Sequence, residues 1–145
     1  MKFARYLRRK TTGENMKNYV TDDKCFEEFP DTEWAELAIS GTGFVKGSPT
    51  PMYKKYGEKI YLKGHVLVDT TTASPITTVF ATLPTGYRPS NPVYALIPGQ
   101  GDRQARLYIN TNGNININYF KTYAGEAVTD GTYWIDIKAS FFVDE

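Results

Sequence analysis

Residues 58–68 read EKIYLKGHVLV, and the alternation within this stretch decides the fold. One side of the stretch is apolar apart from a glycine, and it consists of Ile60, Leu62, Gly64, Val66 and Val68. The other side carries the polar or aromatic residues Lys59, Tyr61, Lys63 and His65. A period of two is typical of an antiparallel strand with one face on the core and one face in water.

The same period recurs in the second half of the chain. The expected inward residues are Ala105, Leu107 and Ile109 in one segment, Ile115 and Ile117 in the next, and Ile135, Ile137, Ala139, Phe141 and Val143 in the last. No helical period persists after residue 40. About seven or eight short strands separated by Gly, Pro and Asn predict an all-β fold, an antiparallel β-sandwich or jelly-roll-like barrel.

One hairpin can be assigned a register from sequence. A two-residue Asn112-Gly113 turn would pair Ile109 with Asn116, which sets an apolar residue beside a polar one. A three-residue Thr111–Gly113 loop instead pairs Ile109 with Ile115 and Leu107 with Ile117. We expect the second register, because a slip of one residue would turn the whole apolar set outward.

The chain divides into a short N-terminal arm and one β domain. Residues 1–32 carry a basic run followed by an acidic run, and we interpret them as an arm or linker, part helical or disordered. Residues 33–145 form the predicted head domain. The segment DTEWAELAI, residues 31–39, fits either a short helix capped by Asp31 or a first strand.

Composition excludes several classes of function. The net charge of +1 does not favour nucleic acid as a partner. Cys25 is the single cysteine, so we expect no internal disulfide and no cysteine-based zinc site. No apolar run reaches the length of a membrane span, and the start MKFARYLRRK lacks the apolar region of a secretory signal. We therefore expect no cofactor, no metal and no membrane insertion.

The connector LPTGYRP, residues 83–89, carries more fixed backbone positions than a plain turn needs. Pro84 suits the second position of a type I turn and Gly86 the fourth. A proline pushes the residue before it towards an extended conformation. The pattern predicts a structural corner; a ligand-binding Tyr-Arg pair is the alternative. The corner residues are Pro84, Gly86, Tyr87, Arg88 and Pro89.

Four segments in order carry a resemblance to a known group of proteins. LPTGYRP resembles the LPxGYRP segment in C-terminal domains of bacteriophage and prophage tail fibre and receptor-binding proteins. YKKYGEKIYLKGHV (53–66), RLYINTNGNINI (106–117) and GTYWIDIKASFFV (131–143) resemble a strand pair, a hairpin and a closing strand of the same domains. The resemblance covers about residues 34–145, and the chain shows no coiled-coil or collagen-like shaft.

The resemblance implies a homotrimeric β-sandwich head that binds host cell-surface glycan at the tip of a phage adhesion device. It implies a location in the virion, or in the bacterial cytoplasm when the chain is expressed from a prophage. A structural tail, baseplate or fibre-attachment subunit is the alternative function. In that case residues 1–32 would dock to other phage tail proteins.

Two loops offer the aromatic and polar groups that saccharide binding requires. The candidate ligand-binding residues are Gln100, Asp102, Arg103, Gln104, Tyr119, Tyr123 and Glu126. Ordinary polar loops and core or subunit-contact aromatics are the alternative interpretations. A second set lies opposite the core residues and suggests a covering copy of the chain. These candidate oligomer contacts are Tyr61, Asn114, Asn116, Asn118, Trp134 and Phe142.

Catalysis is not expected from the sequence. His65 is the single histidine, and no G-x-S-x-G elbow accompanies it. A glycosidase requires two converging carboxylates, and no spacing selects a pair among Asp102, Glu126, Asp130 and Asp136. We therefore predict a binding protein with no catalytic residues, and an esterase or glycosidase stays a third hypothesis.

Overall fold

The computed structural model describes residues 32–73 and 76–143, and every regular element among them is a β-strand. The predictions for residues 1–31 lie outside the described residues. Among the described residues there is no helix with the length and hydropathy needed to cross a membrane. The strands are β1 (Ala35–Glu36), β2 (Phe44–Lys46), β3 (Met52–Tyr56), β4 (Lys59–Lys63), β5 (His65–Asp69), β6 (Ala81–Thr82), β7 (Val93–Pro98), β8 (Arg103–Ile109), β9 (Asn114–Thr122), β10 (Thr132–Asp136) and β11 (Ala139–Phe142).

A long two-stranded ribbon forms the centre of one layer. β4 pairs with β11 and β5 pairs with β10, both antiparallel, and the two pairings keep one register. The Ile137 N–H donates to the Gly64 carbonyl at 3.0 Å and so continues the ladder between them. β3 and β1 extend this layer beside β4, and β2 pairs with β5. We call β1–β5, β10 and β11 the ribbon layer.

Gly64 is the point at which the ribbon bends. Its φ is +111°, and a Cβ there would lie 2.5 Å from the Thr50 carbonyl oxygen and from Pro51 Cα. The stretch predicted as one strand is therefore divided into β4 and β5, as the closing stretch is divided into β10 and β11. These divisions contribute to a count of eleven strands within residues 32–73 and 76–143, higher than the sequence suggested.

The second layer is a four-stranded antiparallel sheet in the order β6-β9-β8-β7. In its central hairpin Ile109 pairs with Ile115, and Leu107 pairs with Ile117, which confirms the register expected from the three-residue loop. The Gly113 N–H donates to the Asn110 carbonyl at 2.9 Å within that loop. We call β6–β9 the hairpin layer.

The two layers bury their inner faces in one apolar core. The ribbon layer contributes residues such as Ile60, Val66 and Ile135, and the hairpin layer contributes residues such as Leu107 and Ile117, all with no exposed surface. The alternation read from the sequence thus identifies the inward face of both layers. The prediction of an all-β antiparallel sandwich is confirmed.

The connector between β6 and β7 is tied to the β8–β9 hairpin. The Arg88 Nε donates to the Leu83 carbonyl at 2.8 Å, and the Leu83 N–H donates to the Gly113 carbonyl at 2.9 Å. The half-buried ring of Tyr87 meets the Tyr53 ring edge-on at 5.0 Å between centroids. Arg88 therefore bonds to backbone within its own connector.

The turn inside this connector differs from the expected one by one residue. The Tyr87 N–H donates to the Pro84 carbonyl at 3.1 Å, so Pro84 is the first residue of the turn and Gly86 the third. Gly86 has a φ of +96°, which the third position of a type II turn requires. The type I assignment was wrong because Pro84 fits the first position as well as the second, and glycine at the third position changes the turn type.

We expect Gly64→Ala to destabilise the domain more than Gly86→Ala does. Both glycines have positive φ, which costs an L-residue about 1 kcal/mol or more. Only Gly64 also has backbone atoms where the new Cβ would lie, whereas Gly86 has none within 4 Å. Urea denaturation of both variants measures the difference in free energy of unfolding. Equal losses would contradict the bent-ribbon account.

Candidate functional site

The two loops predicted to bind saccharide meet at one end of the hairpin layer. The first loop joins β7 to β8 and includes Gln100 and Asp102, and the second follows β9. The Tyr123 N–H donates to the Asp102 carbonyl at 2.8 Å, and Arg103 pairs with Thr122. We call residues 99–103 and 122–126 the loop end.

Tyr123 stands on a tight turn at this loop end. The Gly125 N–H donates to the Thr122 carbonyl at 2.8 Å, and the Glu126 N–H donates to the Thr122 hydroxyl at 3.1 Å. Tyr123 is nevertheless 62% exposed. A fixed backbone thus presents an aromatic ring to solvent, beside the exposed residues Asp102 and Glu126.

Arg103 contributes to the architecture of the loop end. Its guanidinium carbon lies 3.7 Å from the centre of the Tyr133 ring, and its Nη1 donates to the Gln100 carbonyl at 3.0 Å. Nη1 also lies 3.6 Å from the Asp102 carboxylate, and the side chain is only 21% exposed. The buried Nε has no hydrogen-bond partner among the described residues. Arg103 therefore stiffens the loop rather than extending into solvent.

Gln100 connects the loop end to the ribbon layer. Its N–H donates to the Trp134 carbonyl at 2.9 Å, and its Oε1 accepts from the Trp134 N–H at 3.2 Å. Trp134 in turn stacks on His65, with ring centroids 4.4 Å apart and planes 5° from parallel. The amide oxygen of Gln100 is thereby engaged by backbone.

Tyr133 lies beneath the loop end, and sequence reasoning did not select it. Its hydroxyl donates to Asp130 Oδ1 at 2.9 Å, and this hydrogen bond raises the pKa of Tyr133 above its ordinary value. The nearby Arg103 acts in the opposite direction and is the weaker influence. The phenol therefore stays protonated as a donor.

Gln104 and Tyr119 lie on the outward side of the hairpin layer. Gln104 precedes the buried Ala105 and pairs with Lys121, so its side chain points outward. Tyr119 lies beside Arg106, whose guanidinium carbon is 5.5 Å from the Tyr119 ring centre. Arg103 and Gln104 are neighbours in the chain, but their side chains lie on opposite sides of the hairpin layer, because side chains alternate along a strand.

The outward side of the hairpin layer forms an aromatic and amide surface that sequence reasoning did not select as a unit. Tyr94 and Tyr108 pair across β7 and β8, with ring centroids 4.8 Å apart. We call the surface made by six outward side chains the tyrosine face; they are Tyr94, Arg106, Tyr108, Asn116, Asn118 and Tyr119. Alternation in PVYALIP and ARLYIN was the signal that pointed to the missed members Tyr94, Arg106 and Tyr108.

The sequence of the domain was compared with those of known protein families. Residues 28–139 match the family model described as the YomR C-terminal beta sandwich domain. The chain belongs to this family. The family is phage-related, so this is a phage-associated β-sandwich domain. No curated protein matches the chain.

The candidate oligomer contacts of this YomR-type domain are divided between the two layers. Asn114, Asn116 and Asn118 lie in the hairpin layer, where Asn114 Oδ1 accepts from the Thr82 hydroxyl at 3.0 Å. The others lie on the outward side of the ribbon layer, and they are Tyr61, Trp134 and Phe142. Phe142 is 62% exposed.

The ribbon layer's outward side alternates cations with rings. Lys59 Nζ lies 5.4 Å from the centre of the Tyr61 ring and 5.5 Å from the centre of the Phe142 ring. Lys63 Nζ lies 3.9 Å from the centre of the Trp34 ring.

Among the described residues, no three His, Cys, Asp or Glu side chains are grouped to hold a metal ion.

We expect Asp130→Ala to lower the pKa of Tyr133 towards the ordinary tyrosine value. The variant removes the carboxylate that accepts the hydrogen bond from the Tyr133 hydroxyl, while Arg103 remains over the Tyr133 ring. An NMR pH titration of ring-labelled tyrosine measures the change, with Tyr133→Phe used to assign the signal. An unchanged titration in Asp130→Ala would contradict the hydrogen bond described above.

Proposed function

We propose that this domain is a non-catalytic receptor-binding head of a phage tail-type protein and that it recognises host cell-surface carbohydrate. The observation that carries the proposal is the loop end, where an exposed aromatic ring stands on a hydrogen-bonded turn beside exposed polar groups. Membership of a phage-associated β-sandwich family supports the part of the proposal that places the domain in a phage protein.

The chemistry of the loop end suits a neutral sugar. A flat ring such as Tyr123 can pack on the C–H surface of a pyranose, and its backbone is already ordered by three hydrogen bonds around Thr122 and Asp102. The carboxylates of Asp102 and Glu126 accept hydrogen bonds, and sugar hydroxyls donate them. Arg103 and Gln100 support the loops from below.

The head is proposed to act as a homotrimer in the virion. The exposed Phe142 and the half-buried Tyr61 of the ribbon layer supply apolar area for a contact between copies. Light scattering of the full chain at several concentrations tests this part of the proposal. A constant mass of three chains is the expected result, and a monomer at every concentration would reject the trimer.

We expect Tyr123→Ala to weaken binding to a neutral glycan identified on a glycan array by about tenfold or more, equivalent to ~1.4 kcal/mol. Tyr56→Ala is the matched control, because Tyr56 is a tyrosine of similar exposure (54% against 62%) in the ribbon layer. Its affinity should stay within about twofold of the wild type, since it lies outside the loop end.

Absence of any array signal from protein of verified oligomeric state would reject carbohydrate recognition at the loop end. The structural alternative would then be tested by deleting residues 1–32. Loss of assembly with tail proteins, together with an intact fold, would favour a fibre-attachment or baseplate subunit.

A further inference from the structure

A β-bulge in β9 builds the centre of the tyrosine face. Ala105 pairs with Phe120 and Leu107 pairs with Ile117, so Asn118 and Tyr119 both lie opposite Arg106. Bulges increase local twist and redirect side chains, and they occur often beside functional sites. Here the additional residue brings an amide and an aromatic ring to the same cation.

Arg106 is held in place by an amide and by two aromatic rings. Its Nε donates to Asn118 Oδ1 at 3.3 Å, and its guanidinium carbon lies 5.4 Å from the Tyr94 ring centre and 5.5 Å from that of Tyr119. Within residues 32–73 and 76–143, neither Nη of Arg106 has a hydrogen-bond partner. Those nitrogens present the planar fork that matches a carboxylate or a phosphate.

The charged side chains of the hairpin-layer strands around Arg106 are all cationic. The four strands β6 to β9 contain no Asp or Glu, and their outward cations are Arg106 and Lys121. Lys121 Nζ lies 5.4 Å from the Tyr119 ring centre. A surface with cations and without carboxylates favours an anionic ligand.

The aromatic residues of the face specify the rest of the ligand. Tyr94 is 58% exposed, and its ring contacts that of Tyr108. Tyr94 on β7 and Tyr119 on β9 are separated by two strand spacings, about 10 Å, so the platform exceeds one sugar ring. Asn116 lies opposite Tyr108 on β9, its Nδ2 donates to the Ile117 carbonyl at 3.2 Å, and its Oδ1 can accept a hydrogen bond from a sugar hydroxyl.

We propose that the tyrosine face binds an acidic saccharide chain, with the rings packing on sugar rings and Arg106 pairing with a carboxylate or phosphate of the chain. This inference extends the proposed function to a second surface with a different charge preference. A twofold contact between identical copies through this face is disfavoured, because it would bring Arg106 and Lys121 near their own counterparts. Under this proposal Asn116 and Asn118 belong to a ligand-binding surface.

The test measures binding of three probes to the full chain by calorimetry: oligogalacturonate, dextran phosphate and uncharged dextran. We expect at least one of the two anionic probes to bind, to lose affinity as NaCl is raised, and to bind more tightly than dextran. Arg106→Gln should weaken that binding by about tenfold or more. Comparison of the affinities for oligogalacturonate and dextran phosphate identifies whether the site prefers a carboxylate or a phosphate.

Lys59→Gln is the matched control, because Lys59 is also a cation beside two aromatic rings but lies in the ribbon layer. Its affinity for the anionic probe should remain within about twofold of the wild type. Equal losses in Lys59→Gln and Arg106→Gln would overturn the site, since general charge attraction would then explain binding. Failure of both anionic probes to bind would overturn it as well.

Tyr123→Ala separates this site from the loop end. Retention of anionic-probe binding in Tyr123→Ala supports a distinct site, even if the neutral-glycan proposal fails on the array. Light scattering of Arg106→Gln measures the mass of the particle and tests whether this face is a contact between copies. A change in the mass of the particle would overturn the proposal, because the face would then be a contact between copies.

Discussion

The continuous pairing of Lys59–Asp69 with Thr132–Phe142 is the constraint on which the rest of the domain depends. One register runs through the bend at Gly64, so the inward residues of β4, β5, β10 and β11 stay on one side. A slip of one residue anywhere along the ribbon would turn the apolar set into water and the lysines into the core. The inward and outward sides of the ribbon layer therefore follow from this register.

Much of this architecture is predictable from sequence because burial and the period of two are linked. The inward residues of the ribbon were identified by alternation, and the hairpin register followed from matching Ile109 with Ile115. The described part of the uncertain start, residues 32–39, contains strand β1 at Ala35–Glu36 rather than a helix, because those two residues pair with Met52 and Tyr53. Such pairing is non-local, so the short segment could not indicate it.

The candidate site was only partly predictable for a different reason. Which polar groups stay free depends on contacts between distant strands, and Gln100 and Arg103 are engaged by Trp134 and Tyr133 of β10. The bulge that brings Asn118 and Tyr119 to Arg106 has no glycine or proline to mark it in sequence. Polarity in a loop indicates exposure, whereas the hydrogen-bond partners of each group come from tertiary structure.

The account assigns different chemistry to surfaces that the same alternation creates: acceptor carboxylates at the loop end, and cations with rings on the tyrosine face. An NMR titration of the isotope-labelled full chain with oligogalacturonate or dextran phosphate, whichever binds more tightly, tests this division most directly. We predict that the perturbed amide signals cluster in β7, β8 and β9 around Arg106. Perturbations that cluster instead around Lys59 and Phe142 of the ribbon layer, or that are absent at saturating ligand, would contradict the account.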